Sequence, residues 1–353
     1  MDFLQELLID ALKGPASDVH LVAGTRPLYR VHTTLAPVMK WPVVSAEQLE
    51  AAIRGILGPE RWEHLQKKRD IDFSMQVQGL GRYRVNAHYQ RDTIAVAFRA
   101  ISDKVPPLAS LNLPPAVNKL AELPRGLVLV TGVTGSGKST TLAAMIDRIN
   151  QVSSLHIITL EDPVEYMLHS DKSLIEQREV GADVPTFASG LRHVLRQDPD
   201  VILVGEMRDL ETTSAAITAA ETGHLVLSTL HTQSAAQTIE RIIDIYPGEQ
   251  QNQIRSMLSN TLQAVVTQTL FRRADKAGMV PACEVMMCTA AVRNCIRENR
   301  IHEIPNIIET SRSAGMCTLD ESIRSLFLNG YISQQQALAQ AARPEAMGRA
   351  ISA

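Results

Sequence analysis

Aromatic side chains are scarce in this chain: six phenylalanines, six tyrosines and two tryptophans among 353 residues. Proteins that thread single-stranded nucleic acid stack bases on aromatic platforms along a basic groove. A formal charge of −3 supplies no basic excess either, so the composition argues against a nucleic-acid partner. No apolar run approaches the 18 residues of a membrane-spanning helix. The amino end, MDFLQELLID, is acidic and amphipathic rather than a basic-then-apolar leader. The expectation is a soluble, cytoplasmic protein. Cysteines number four (Cys283, Cys288, Cys295 and Cys317), confined to the last quarter at spacings that fit no zinc pattern. Reduced, partly buried thiols are expected. No internal repeat is visible.

What is present is a globular composition, 45% hydrophobic and 21% charged, long enough for two or three domains. The chain is organised around GVTGSGKS, Gly132 to Ser139. A short apolar, β-rich run, GLVLVT, precedes it, and TTLAAMIDRIN follows with apolar residues at helical spacing. Strand, glycine-rich loop and helix are the context of a phosphate-binding loop. The glycines let successive N–H groups turn inward, and the helix start aims its positive dipole end at the same anion. Gly132, Thr134, Gly135, Ser136, Gly137, Lys138, Ser139 and Thr140 form the candidate nucleotide-binding set. Lys138 reaches the β- and γ-phosphates of ATP, and the Ser139 hydroxyl is placed to ligate Mg²⁺.

Upstream, residues 2–13 show a helical apolar stripe stopped at Gly14-Pro15. SDVHLVAG and PLYRVH read as strands, and 45–68 as two helices broken at Gly58-Pro59. DIDFSMQV, RYRVNAHYQ and TIAVAFRAI read as three more strands, the first two joined by a short glycine-containing turn. Residues 1–104 are thus an α+β domain, and the proline-rich 105–115 a linker. From 116 to 270 strands alternate with helices, which predicts a doubly wound, largely parallel α/β sheet with ligands at the strands' carboxyl ends. Residues 271–353 read as mostly helical.

Three further constellations lie at predicted strand ends. ITLEDPVEY places Glu161, Asp162 and Glu165 after an apolar strand, either to polarise water and hold Mg²⁺ or as a solvated acidic loop. VILVGEMRD ends in Gly205-Glu206, where such ATPases commonly carry an acid for Mg²⁺ or water. Glu206 takes that role, and Arg208-Asp209 reads as a structural ion pair. TGHLVLSTLHT puts His224 and His231 at opposite ends of one strand, as γ-phosphate sensors, interface contacts or structural residues.

In this order and spacing, these four boxes resemble the secretion ATPase superfamily that powers type II secretion and type IV pili. GVTGSGKSTTLAAMIDRIN, LRHVLRQDPDVILVGEMRDLET, STLHTQSAAQTIERIIDIYP and AVRNCIREN are similar to its pilus-retraction branch. The resemblance runs from SDVHL (17–21) to GMCTLD (315–320). It implies a ring-shaped homohexamer whose subunits pair an N-terminal PAS-like domain with a RecA-like core and a helical C-terminal region. The implied partner is an inner-membrane pilus platform protein, engaged peripherally from the cytoplasmic face. By the same resemblance Glu165 and Glu206 are the acidic-box and strand-end glutamates, and His224 and His231 the histidine box. Arg82, Arg84 and Arg99 are the candidates for arginines that complete the site from the N-terminal domain.

AVRNCIREN departs from the family's usual AIRNLIRE at Val292 and Cys295, positions expected to pack. Its polar residues 293, 294, 297 and 298 share one face, read as an output surface. The sequence leaves open a pilus-retraction motor, an accessory ring that modulates a paralogous motor, and a nucleic-acid translocase on the same core.

Overall fold

In the computed structural model, which describes residues 3–14, 16–31, 34–77, 81–101 and 104–352, the chain divides into two compact units. One holds residues 1–104 with a short return, 163–167, and the other holds 105–162 and 168–353.

The first unit runs α1 (Phe3–Lys13), β1 (Ala16–Val22), β2 (Leu28–Val31), β3 (Thr34–Pro37), α2 (Ala46–Lys68), β4 (Asp70–Val77), β5 (Gly81–Gln90) and β6 (Thr93–Ile101). Among the described residues the strands form one antiparallel sheet in the order β3-β2-β1-β6-β5-β4. Alternation decides its faces. Tyr83, Val85 and Ala87 of β5 turn inward with Phe73, Phe98 and Val19, against Leu4, Leu7 and Leu8 of α1 and Leu49, Ile53 and Leu65 of α2. Gly58 breaks α2 with φ 68° and ψ 178°, so the two-helix expectation holds. β3 was not expected. The turn between β4 and β5 and the stop at Pro15 lie outside the described residues.

The second unit continues with α3 (Pro115–Leu120), β7 (Gly126–Thr131), α4 (Lys138–Val152), β8 (His156–Glu161), β9 (Leu174–Glu179), α5 (Phe187–Val194), β10 (Val201–Val204), α6 (Leu210–Glu221) and β11 (Leu225–Leu230). There follow α7 (Ala235–Asp244), α8 (Gln251–Thr261), β12 (Leu262–Arg272), β13 (Met279–Met287), α9 (Ala290–Arg297), α10 (Ile304–Thr310), α11 (Leu319–Leu328), α12 (Gln334–Gln340) and α13 (Pro344–Ser352). Its sheet has the order β13-β12-β7-β11-β10-β8-β9, parallel except for β13. β7, β10 and β11 are buried throughout, as strands covered on both faces must be. Among the described residues no helix is long and apolar enough to cross a membrane.

Two segments differ from the sequence reading. Residues 105–115 are packed rather than free: Leu108 is buried in the core, and Val105, Leu111 and Leu113 lie against the same cluster. The predicted helical region from 271 begins inside β12, and β13 adds an antiparallel edge before the first helix at Ala290. Antiparallel edges on parallel sheets need only a short connection, here 273–278, where Gly278 turns with φ 124°.

Candidate active site

Parallel register brings the candidate residues to one edge. Leu230 of β11 pairs with Thr131 of β7, and Val204 of β10 pairs with Leu160 of β8 and Ser228 of β11. The phosphate loop, Gly205-Glu206 and His231 therefore all leave the carboxyl ends of adjacent strands.

The loop is shaped by what surrounds its glycines. Gly132 has φ 136°, and a Cβ there would lie 2.4 Å from the Gln268 carbonyl oxygen and 2.6 Å from Ser136 Oγ. Only glycine fits so close to a neighbouring strand. Gly137, at φ 91°, caps α4 without a side chain and leaves its first-turn N–H groups facing outward. Lys138 is 8% exposed, and its Nζ donates to the carbonyls of Gly132 (2.9 Å) and Val133 (3.1 Å). An ammonium has three protons, and the third finds no acceptor among the described residues. Burial holds this ammonium below the ordinary lysine range, while the Glu206 carboxylate pulls the other way. The loop is thus a cradle of N–H groups around one buried cation, which suits a polyphosphate. Ser139 stands exposed at the start of α4. A hydroxyl is a hard-oxygen donor of the kind Mg²⁺ takes.

Glu206 is the best-connected acid of the cluster. It is ion-paired with Arg208 and lies 3.3 Å from His231 Nε2. This corrects the expected Arg208-Asp209 pair. Asp209 instead caps α6, accepting from Thr212 N at 2.8 Å and Thr212 Oγ1 at 2.9 Å, which leaves Arg208 to the glutamate.

The other candidates separate. His224 sits at the amino end of β11, opposite the start of β7, with Nδ1 2.9 Å from the Ala219 carbonyl at the close of α6. It is not brought to the phosphate-loop edge of the sheet. Glu161 accepts from Thr159 Oγ1 and Gln177 Nε2, so the first acid of the box is tied into the sheet. Glu165 is exposed and lies in the 163–167 return that belongs to the first unit.

In the first unit, Arg30, Asp18, Arg99, Arg84 and Ser74 are successive register partners across five strands. Arg99 Nε donates to Asp18 at 2.8 Å, and Arg82 donates to Ser74. Burial would raise the Asp18 carboxyl, but hydrogen bonds from Arg99 and Ser17 and the Arg99 charge hold it below the ordinary range. Arg84 faces Arg99 in register and finds no acceptor among the described residues. Two like charges directly opposite are unfavourable in a sheet, and the Asp18 carboxylate offsets one of them.

Some of the site was not singled out from sequence. Thr131 Oγ1 and Thr267 Oγ1 meet at 2.9 Å, and Gln268, 1% exposed, donates to Thr141 Oγ1 at 2.9 Å, tying β12 to the loop strand and to the first turn of α4. The signal was present as the polar triplet TQT inside the apolar run VVTQTLF.

The comparisons with known proteins agree with this geometry. The chain is 45% identical to a type IV pilus retraction ATPase, PilT, of Pseudomonas aeruginosa, over 97% of this chain and 99% of that one. It is 44% identical to a twitching motility protein of Neisseria gonorrhoeae, over 92% and 87%. A crystal structure of the pilus retraction motor PilT with bound ADP superposes with a TM-score of 0.91 at 41% identity, covering 98% and 99%. The family model of type II/IV secretion system proteins matches residues 1–325. This chain belongs to the type II/IV secretion system protein family.

Proposed function

We propose that this protein is an ATPase that powers retraction of a type IV pilus, working as a homohexamer on a membrane-embedded platform protein. The observation that carries the catalytic part is the buried Lys138 ammonium, spread over two loop carbonyls with one proton to spare, beside Glu206 and His231. The names of the most similar relatives support the pilus and its retraction.

The reaction is transfer of the γ-phosphoryl group of ATP to water, in which the protein contributes position and charge rather than covalent chemistry. The N–H groups of residues 132–140 hold the phosphates, and Lys138 neutralises oxygens at the scissile end. Mg²⁺ would be held by the Ser139 hydroxyl with Glu206 in its surrounding shell, and when bound it neutralises phosphate oxygens. Glu206 orients the attacking water, with Arg208 and His231 fixing the carboxylate's rotamer. Glu165 is the second acid of the family pattern and serves the same water or ion when the site is complete. Of the three N-terminal arginines, Arg84 is the donor to the developing charge, because Asp18 occupies Arg99 and Ser74 occupies Arg82. His231 is the histidine of the phosphate side, and His224 secures the end of α6.

The test is deletion of the gene. Cells that become hyperpiliated and lose twitching motility support the reading. Cells that still retract pili at the normal frequency overturn it in favour of an accessory ring.

A further inference from the structure

The β12–β13 hairpin touches the catalytic edge twice from one side. Gln268 and Thr267 of β12 hold α4 and the end of β7. Glu284, register partner of Thr267 on β13, sends Oε1 to the Ala235 N–H at the first turn of α7, 2.8 Å away. That turn begins four residues after His231.

The loop between them is otherwise secured within itself. Thr232 Oγ1 meets Thr238 Oγ1 at 2.6 Å, Gln233 N donates to Gln237 Oε1, and Ser234 caps the helix. These bonds fix the loop on α7 but not α7 on the sheet. The buried face of α7 (Ile239, Ile242 and Ile243) is apolar and sets no polar register. Among the described residues, the Glu284 bond is the polar tie from the α7 first turn to another element. Glu284 is half-buried in the apolar run PACEVMM, an expensive place for a carboxylate unless it is held by a donor. Burial pushes its carboxyl up, and the Ala235 N–H at the positive end of α7 works against that.

We propose that Glu284 is a positioning residue for ATP hydrolysis: it fixes the His231 loop to the same hairpin that fixes the phosphate loop. It touches neither nucleotide nor water. The inference rests on the proposed role of His231 beside Glu206. A shift of about 1 Å in such a support costs up to about 10²-fold in rate.

The experiment measures kcat, KM and mant-ADP affinity of the full-length protein as wild type, Glu284→Ala, Glu284→Gln, His231→Ala and the double Glu284→Ala/His231→Ala. Glu284→Ala is expected to lower kcat by roughly 10- to 100-fold with mant-ADP affinity unchanged. Glu284→Gln, which keeps an acceptor oxygen at the same reach, is expected to restore most of the turnover. In the His231→Ala background the Glu284→Ala change is expected to add little, because both act through one loop.

Wild-type kcat in Glu284→Ala, a parallel loss of nucleotide affinity, failure of Glu284→Gln to rescue, or fully additive losses each overturn the proposal. If Glu284→Ala does not fold, Glu284→Asp draws the carboxylate back from the Ala235 N–H instead. A kcat loss there at constant affinity supports the proposal, and wild-type kcat overturns it. A wild-type rate in His231→Ala alone instead refutes the histidine reading on which the proposal stands.

Discussion

Lys138 is a cation almost withdrawn from water and held by two neutral carbonyls. Its value to the fold is small, and its value to a bound phosphate is large. Lys138→Ala should leave the melting profile unchanged and lower hydrolysis by at least about 10²-fold, measured by phosphate release. Glu206→Gln should keep nucleotide affinity and lose turnover, since water orientation matters in the transition state more than in the ground state. Asp18 gives a pH signature. Its folded-state carboxyl lies below the ordinary value of about 3.9, so its stabilisation is present above that value and is lost as pH falls through the folded value. Acid unfolding of Asp18→Asn should therefore begin less steeply below about pH 4, as followed by circular dichroism. The phosphate-loop residues were legible because the motif dictates backbone shape over eight consecutive positions. The partner of Arg208 was not, because sequence adjacency suggested Asp209 while the start of α6 claimed that carboxylate as its cap.

α9 was expected to present Arg293 and Arg297 as an output face. The substituted positions Val292 and Cys295 are buried, as expected. Arg293, however, turns back onto α8, donating to the carbonyls of Ser259 (2.6 Å) and Asn260 (3.0 Å) and to Gln263 Oε1 (3.0 Å). Those carbonyls are the unsatisfied acceptors of the last turn of α8. Helical period assigned Arg293 to the polar face correctly, but period alone does not say that a neighbouring helix ends there. Arg293→Ala should cost about 1–3 kcal/mol in urea unfolding, with ATPase lowered in step. Arg297 makes one long contact, 3.4 Å to Ser259 Oγ, and is exposed with Asn294 and Glu298. Substitutions at these three positions should spare stability, so the exposed polar face of α9 is narrower than the sequence suggested. β9 and β13 were missed for related reasons. β9 is an edge strand with four polar residues among its six, and β13 carries Pro281 and Glu284 inside its apolar run. The buried parallel strands were plain because burial on both faces leaves unbroken apolar runs.

At the scale of the molecule, the arginine row lies in one compact unit and the phosphate loop in the other. A fragment starting at residue 105 should bind nucleotide yet hydrolyse it about 10³- to 10⁵-fold more slowly, the usual contribution of a charge-stabilising arginine. Starting at 116 would also remove Leu108 from the core, a loss of about 1.5–3 kcal/mol. A head-to-tail contact closes into a ring or runs on as a filament. Light scattering with nucleotide should give a mass near six times 38.8 kDa. Hydrolysis at this phosphate loop is proposed to shorten pili. This is tested most directly by imaging fluorescently labelled pili in cells whose only copy of the gene carries Lys138→Ala. Pili in these cells should extend and then fail to retract. Retraction at the wild-type speed and frequency in those cells would contradict it.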